Sequence, residues 1–304
     1  MFKFLGNIPR ISALLLVSLV GFFSMDVWGQ SYAASVDSVD RFVQERNWSG
    51  AERMLLNALK KEPANPNNYL LLSNLGTVHR NMGRLKEALA DYTNALSITP
   101  NAVTILHNRA SLYLEMDSVE KALVDYERIM RLDETDVDSR YYHGMIALQY
   151  GKMDEAKQDF DDVLKLNPHS LDAQRGLALW NKLQNRKEEA IKLYSQIIEK
   201  ENRLSNYLGR AECYLDLNKT VEAEADLQEA QKLDPSEPMI YVYRARLAEL
   251  QFRYDDAADY AKKAQELGAE PELVEKFFKK KRFVGCLIAN KSVLLLYDKN
   301  YISY

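Results

Sequence analysis

Apolar and small residues recur along most of the chain at helical spacing. An alanine is followed four residues later by an aromatic or apolar residue, and seven later by a small or apolar one. The alanines are Ala51, Ala88, Ala122, Ala156, Ala190, Ala223 and Ala257, separated by 37, 34, 34, 34, 33 and 34 residues. Four on stand Leu55, Tyr92, Tyr126, Phe160, Tyr194, Leu227 and Ala261; seven on stand Ala58, Ala95, Ile129, Val163, Ile197, Ala230 and Ala264. Offsets of four and seven share one helix face, so each set predicts an amphipathic helix. Pro63, Pro100, Pro168 and Pro235 lie twelve after an Ala, where proline ends a helix.

A second helix is predicted before each of these. Its cues are Leu72, Leu75, Gly76 and His79; Leu106, Ala110 and Tyr113; Gly144 and Ala147; Leu177 and Ala178; Tyr207, Ala211 and Tyr214; Tyr241 and Ala245. A small residue (Gly76, Ala110, Gly144, Ala178, Ala211, Ala245) always stands twelve before the repeated Ala. Paired small residues let two helix backbones approach, and larger ones there would overpack. Five before the Ala stand Gly83, Asp117, Gly151, Asn185 and Asn218, types that tolerate the left-handed backbone closing a helix. The repeats near 32 and 238 lack such a residue, as expected of end units.

This pattern resembles the tetratricopeptide repeat (TPR) family. Residues 69–102 carry its signature nearly throughout, in Leu72, Leu75-Gly76, Ala88, Tyr92, Ala95 and Pro100, with His79 as the departure. Repeats are assigned at 32–65, 69–102, 103–136, 137–170, 171–203, 204–237 and 238–271. The resemblance implies an all-α, right-handed superhelical solenoid of about seven helix-turn-helix repeats, with first helices lining a concave face. A lone hairpin cannot bury its apolar face, so neighbours stack into one core.

The domain reading is a signal peptide at 1–29, an array at 30–270 and a basic tail at 271–304. Lys3 and Arg10 precede an uncharged apolar run at 11–24, too short to span a bilayer comfortably. Cleavage is expected after Gly29 or Ala33; an uncleaved anchor is the alternative. No Cys follows the run, so a lipoprotein signal is not expected. The chain is therefore expected to be exported, to the periplasm in a bacterium with two membranes.

Composition narrows the functions. Gly and Pro number 12 and 8 in 304 residues, too few for a many-stranded β fold. The net charge of −4 argues against a nucleic-acid partner. The tail is basic, with Lys276, Lys279, Lys280, Lys281, Arg282, Lys291 and Lys299 against three acids. Residues 271–278 read as a capping helix, and the apolar runs around Asn290-Lys291 allow a small hairpin but not a membrane span. Cys213 and Cys286 make no disulfide framework.

No catalytic constellation, phosphate loop or metal motif has credible spacing, and no cofactor is expected. His79, His107, His143 and His169 hold four different repeat positions and do not converge on a metal. Acid pairs such as Asp161-Asp162 and Asp255-Asp256 read as solvated helix faces. The sequons at Asn47, Asn218 and Asn290 are common by chance. Function is left to the groove. By register its candidate peptide- or protein-binding residues are Asn74, His107, Asn108, Ser111, Tyr141, Tyr142, Arg175 and Arg246; Ser73, Thr77, Met145, Leu179, Glu212 and Tyr243 share the surface. Amides suit a peptide backbone, and aromatics give contact area at low entropy cost. A carboxylate clamp known in the family would fall on Ser73, Thr77 and Asp138, and its lysines are absent. The expectation is a non-enzymatic scaffold for a protein or peptide. The alternatives are an accessory subunit that captures a glycan or an enzyme's substrate, and a truncated sensor or transferase whose catalytic domain lies on another chain.

Overall fold

The computed structural model describes Val39 and residues 41–278. The expected signal and cleavage sites, Cys286, Asn290 and the expected tail hairpin lie outside the described residues. The described residues contain helices and turns and no strand. The chain divides into two compact units after Pro168.

The N-terminal unit holds seven named helices: α1 (Trp48–Lys61), α2 (Asn68–Asn81), α3 (Leu85–Ile98), α4 (Val103–Glu115), α5 (Val119–Leu132), α6 (Val137–Gln149) and α7 (Met153–Leu166). The C-terminal unit holds α8 (Leu171–Leu183), α9 (Lys187–Ile198), α10 (Leu204–Asp216), α11 (Thr220–Leu233), α12 (Pro238–Leu250) and α13 (Tyr254–Glu266), then a helical segment at 271–278. The first helices α2, α4, α6, α8, α10 and α12 therefore begin within a residue of the predicted repeat starts, and each packs against the second helix that follows it; the start predicted at 32 lies outside the described residues. The second helices α1, α3, α7 and α11 end just before Pro63, Pro100, Pro168 and Pro235.

The small residues set the hairpin spacing. Ala51, Ala88, Ala122, Ala156, Ala190 and Ala223 have no exposed surface, and neither do Ala110, Ala178, Ala211 and Ala245. A Cβ on Gly76 would stand 2.8 Å from the Tyr92 ring and 3.1 Å from the Ala88 carbonyl oxygen. A Cβ on Gly144 would stand 2.9 Å from the Phe160 ring. The aromatics fill the gap this leaves: Tyr92, Tyr126 and Phe160 are fully buried.

The turns share one backbone solution. Gly83, Asp117, Gly151, Asn185 and Asn218 all have positive φ, between 56° and 75°. In each, the next residue's N–H reaches back to the carbonyl five residues earlier, as in Arg84 to His79 (2.9 Å) and Lys219 to Tyr214 (2.8 Å). That closure satisfies carbonyls the helix end leaves open. The end repeats differ from expectation. Arg46 (φ 53°) and Phe252 (φ 59°) adopt the same conformation although neither type favours it. Packing on either side fixes the turn, and the local residue type yields.

In the C-terminal unit, Val274 and Phe277 of the 271–278 segment bury against Ala257, Ala261 and Ala264. The segment thus covers the apolar face that α12 and α13 would otherwise expose.

Candidate functional site

In the N-terminal unit the predicted surface is built by α2, α4 and α6. Arg80 on α2 reaches α4, donating from Nε to Glu115 (2.7 Å) and from Nη2 to the Ser111 hydroxyl (3.0 Å). His107 Nε2 lies 2.9 Å from the carboxylate of Asp136, the N-cap of α6, and 3.4 Å from Ser139 Oγ. Burial works against the Asp136 charge, yet hydrogen bonds from His107 and the Ser139 N–H hold its carboxyl below the usual range. Asn108 Nδ2, Ser73 Oγ and Gln149 Oε1 are buried on these first helices without a hydrogen-bond partner. Unmet buried polar atoms cost free energy unless water or a ligand completes them.

The aromatic pair divides. Tyr141 is half-buried, edge-on to Tyr142 at 5.2 Å and 6.1 Å from Phe160. Tyr142 is buried and stacks on Tyr126 at 5.2 Å with planes 14° apart. One residue turns a helix by about 100°, which carries Tyr142 off the surface and into the seam between repeats. Tyr142 is therefore a packing residue and not a surface contact. Asn74 and Ser73 are buried as well, at 4% and 1% exposure. His107, Asn108, Ser111 and Tyr141 remain partly accessible.

In the C-terminal unit the corresponding side chains are engaged with one another. Glu212 on α10 accepts from Lys182 on α8 (2.6 Å) and from the Tyr243 hydroxyl on α12 (2.8 Å). One turn further on, Asp216 accepts from Arg246 at 2.6 Å and pairs with Lys187. Burial opposes the Asp216 charge, but hydrogen bonds from Lys187 and Arg246 prevail and lower its pKa. Arg175 is held by Asp172 and Glu201. The two predicted arginines thus spend their charge inside the unit.

A second set of polar residues was not foreseen. Asp91, Asp125, Asp159 and Asp226 precede the packed Tyr92, Tyr126, Phe160 and Leu227, and all four are buried. Each is bonded to a base on the first helix of its own hairpin. Arg109 grips Asp125 with two bonds of 2.8 Å, and Arg210 grips Asp226 at 2.9 and 2.6 Å. His143 Nδ1 meets Asp159 at 2.5 Å, and His79 Nδ1 meets Asp91 at 2.6 Å. His79 Nε2 also faces Glu52 of α1 at 3.2 Å, which Arg84 holds at 2.8 Å. Burial pushes the Asp226 pKa up despite Arg210. The visible signal was an acid three after the repeated Ala with a base sixteen earlier, in Arg109, His143 and Arg210.

Cys213 is fully buried and burial pushes its thiol up to about 11, which makes it a packing residue. Among the described residues, no three or more His, Cys, Asp or Glu are grouped to hold a metal, and no helix is long and apolar enough to cross a membrane.

Known proteins share this architecture. Family models described as TPR repeat and tetratricopeptide repeat match residues 76–117, 103–136, 141–203 and 208–270. The crystal structure of a tetratricopeptide repeat protein from Parabacteroides merdae is 36% identical, with a TM-score of 0.71, covering 83% of this chain and 98% of that one. Two more distant structures share the fold. The Cut9–Hcn1 hetero-tetramer of APC/C has a TM-score of 0.64 at 12% identity, covering 77% of this chain and 52% of that one. Pseudomonas aeruginosa PilF has 0.57 at 17% identity, covering 70% and 97%. No match was found among curated proteins. With the helical hairpins, their left-handed turns and their small-residue seams all in one register, this chain belongs to the tetratricopeptide repeat family.

Proposed function

We propose that the protein is a non-enzymatic scaffold that holds a protein or peptide segment along the first helices of its N-terminal unit, outside the cytoplasm. One observation carries this reading. The first helices α4 and α6 carry the partly accessible Asn108, Ser111 and Tyr141, and Asn108 Nδ2, itself buried, makes no hydrogen bond within the protein. An extended chain offers the matching carbonyls and N–H groups, and a fixed aromatic adds contact area with little ordering cost. Asn206 Oδ1 and Arg244 Nε are also unpaired in the C-terminal unit, but its surface side chains Lys182, Glu212, Tyr243, Asp216 and Arg246 already engage one another.

Export rests on the basic start and apolar run of the first thirty residues. N-terminal sequencing of the mature protein checks it, with Gln30 or Ala34 expected at the new end.

The binding test is a pull-down from the native compartment with Asn108→Ala combined with Ser111→Ala. Both side chains are partly accessible, so the fold should survive, as far-UV circular dichroism would show. Loss of a protein that the wild type retains supports the surface. Equal capture by the folded double variant contradicts it.

A further inference from the structure

We propose that the α6–α7 hairpin is a pH-sensitive joint whose sensor is the His143–Asp159 pair, tight in mild acid and looser as the medium turns alkaline. The same place in two other hairpins is held by arginine, Arg109 on Asp125 and Arg210 on Asp226, each through two hydrogen bonds. Arginine keeps its charge at any pH a protein meets. Histidine is the side chain whose charge changes near neutrality, so the substitution turns a permanent tie into a titratable one.

The surroundings of His143 favour its charged form. From α7 the Asp159 carboxylate meets Nδ1 at 2.5 Å, and Glu155 stands on the same helix. From α5 comes the field of Glu127. On α6 itself the one opposing cation is Arg140, whose Nη1 is drawn toward Asp159 (4.0 Å) and Asp162 (3.7 Å). The Asp159 hydrogen bond outweighs burial, and the imidazole is held above its ordinary 6.5. A His whose folded pKa is raised lends its full stabilisation below the unfolded value. That contribution is lost as pH climbs through the folded value. The joint therefore loosens from about pH 6.5 upward, not downward. Tyr141 and Tyr142 directly precede His143, so loosening reaches the stack on Tyr126.

Two measurements on the full chain test this. NMR titration of the His143 imidazole, assigned by its disappearance in His143→Gln, should give a pKa above 6.5, and Asp159→Asn should bring it down. Hydrogen exchange, corrected for intrinsic rates, should show protection in 137–166 falling between pH 6.5 and 8.5. Each unit of pKa elevation removes about tenfold of protection. His143→Arg should flatten that fall. A His143 pKa at or below 6.5, or the same pH slope in His143→Arg, overturns the proposal.

Discussion

The two units are built from the same hairpin yet tie down their polar residues differently. In the N-terminal unit two of three buried aspartates are held by histidine, and the first helices keep Ser73 Oγ, Asn108 Nδ2 and Gln149 Oε1 unpaired, as the C-terminal first helices keep Asn206 Oδ1 and Arg244 Nε. In the C-terminal unit the buried Asp226 is held by arginine, and the first helices are laced by Lys182–Glu212–Tyr243 and Lys187–Asp216–Arg246. Packing dictates the hairpin and is indifferent to which base closes on the aspartate or whether a surface carboxylate finds a neighbour. A repeat fold can therefore keep one architecture while one region closes most of its buried aspartates with histidine and another closes its own with arginine and laces its first helices with ion pairs.

The largest expected effect tests what the units share. Phe160→Ala empties a fully buried site and should cost about 3–5 kcal/mol by denaturant unfolding, with α6–α7 losing exchange protection first. An unchanged midpoint would remove Phe160 from the packing account. Next is the charged tie. Arg210→Ala leaves Asp226 buried without its cation and should cost about 3 kcal/mol. Arg210→His is more telling, because it gives the C-terminal unit the N-terminal arrangement. Its stability should then fall as pH rises past neutrality, where the wild-type α10–α11 hairpin stays flat. A flat His variant would break the comparison.

Smaller effects follow from the seams and turns. Gly144→Ala and Gly209→Ala drive a Cβ to 2.9 Å from Phe160 and 2.5 Å from Tyr194, and each should cost about 1–3 kcal/mol. The smallest effect has the opposite sign. Phe252 is 78% exposed and sits at φ 59°, so Phe252→Asn gives up little packing and should stabilise by about 1 kcal/mol. Gly83→Ala, at φ 75°, should destabilise by a similar amount. A higher midpoint for Gly83→Ala would show that these turns carry no strain.

The fold was readable because its constraints are local and repeated. Small residues mark the seams, aromatics fill them, and Gly, Asn or Asp marks most turns. Arg46 and Phe252 show the limit: their turns close the same way because neighbouring helices demand it, and no local residue announces it. The surface was only half readable. Register puts Tyr141 and Tyr142 side by side, but one residue of helical rotation sends Tyr142 into the stack with Tyr126. The sequence shows Arg175 and Arg246 as cations, and of their partners only Asp172, three residues before Arg175 on the same helix, is within local reach. The others, Glu201 and Asp216, lie 26 and 30 residues away, and the two bonds join different parts of the repeat.

Site-specific photo-crosslinking in living cells tests the central claim most directly. A photoreactive residue at Ser111 should yield discrete protein adducts, and one at Arg246 should yield few or none. Adducts from Arg246 with none from Ser111 would contradict the account and place the partner on the other unit.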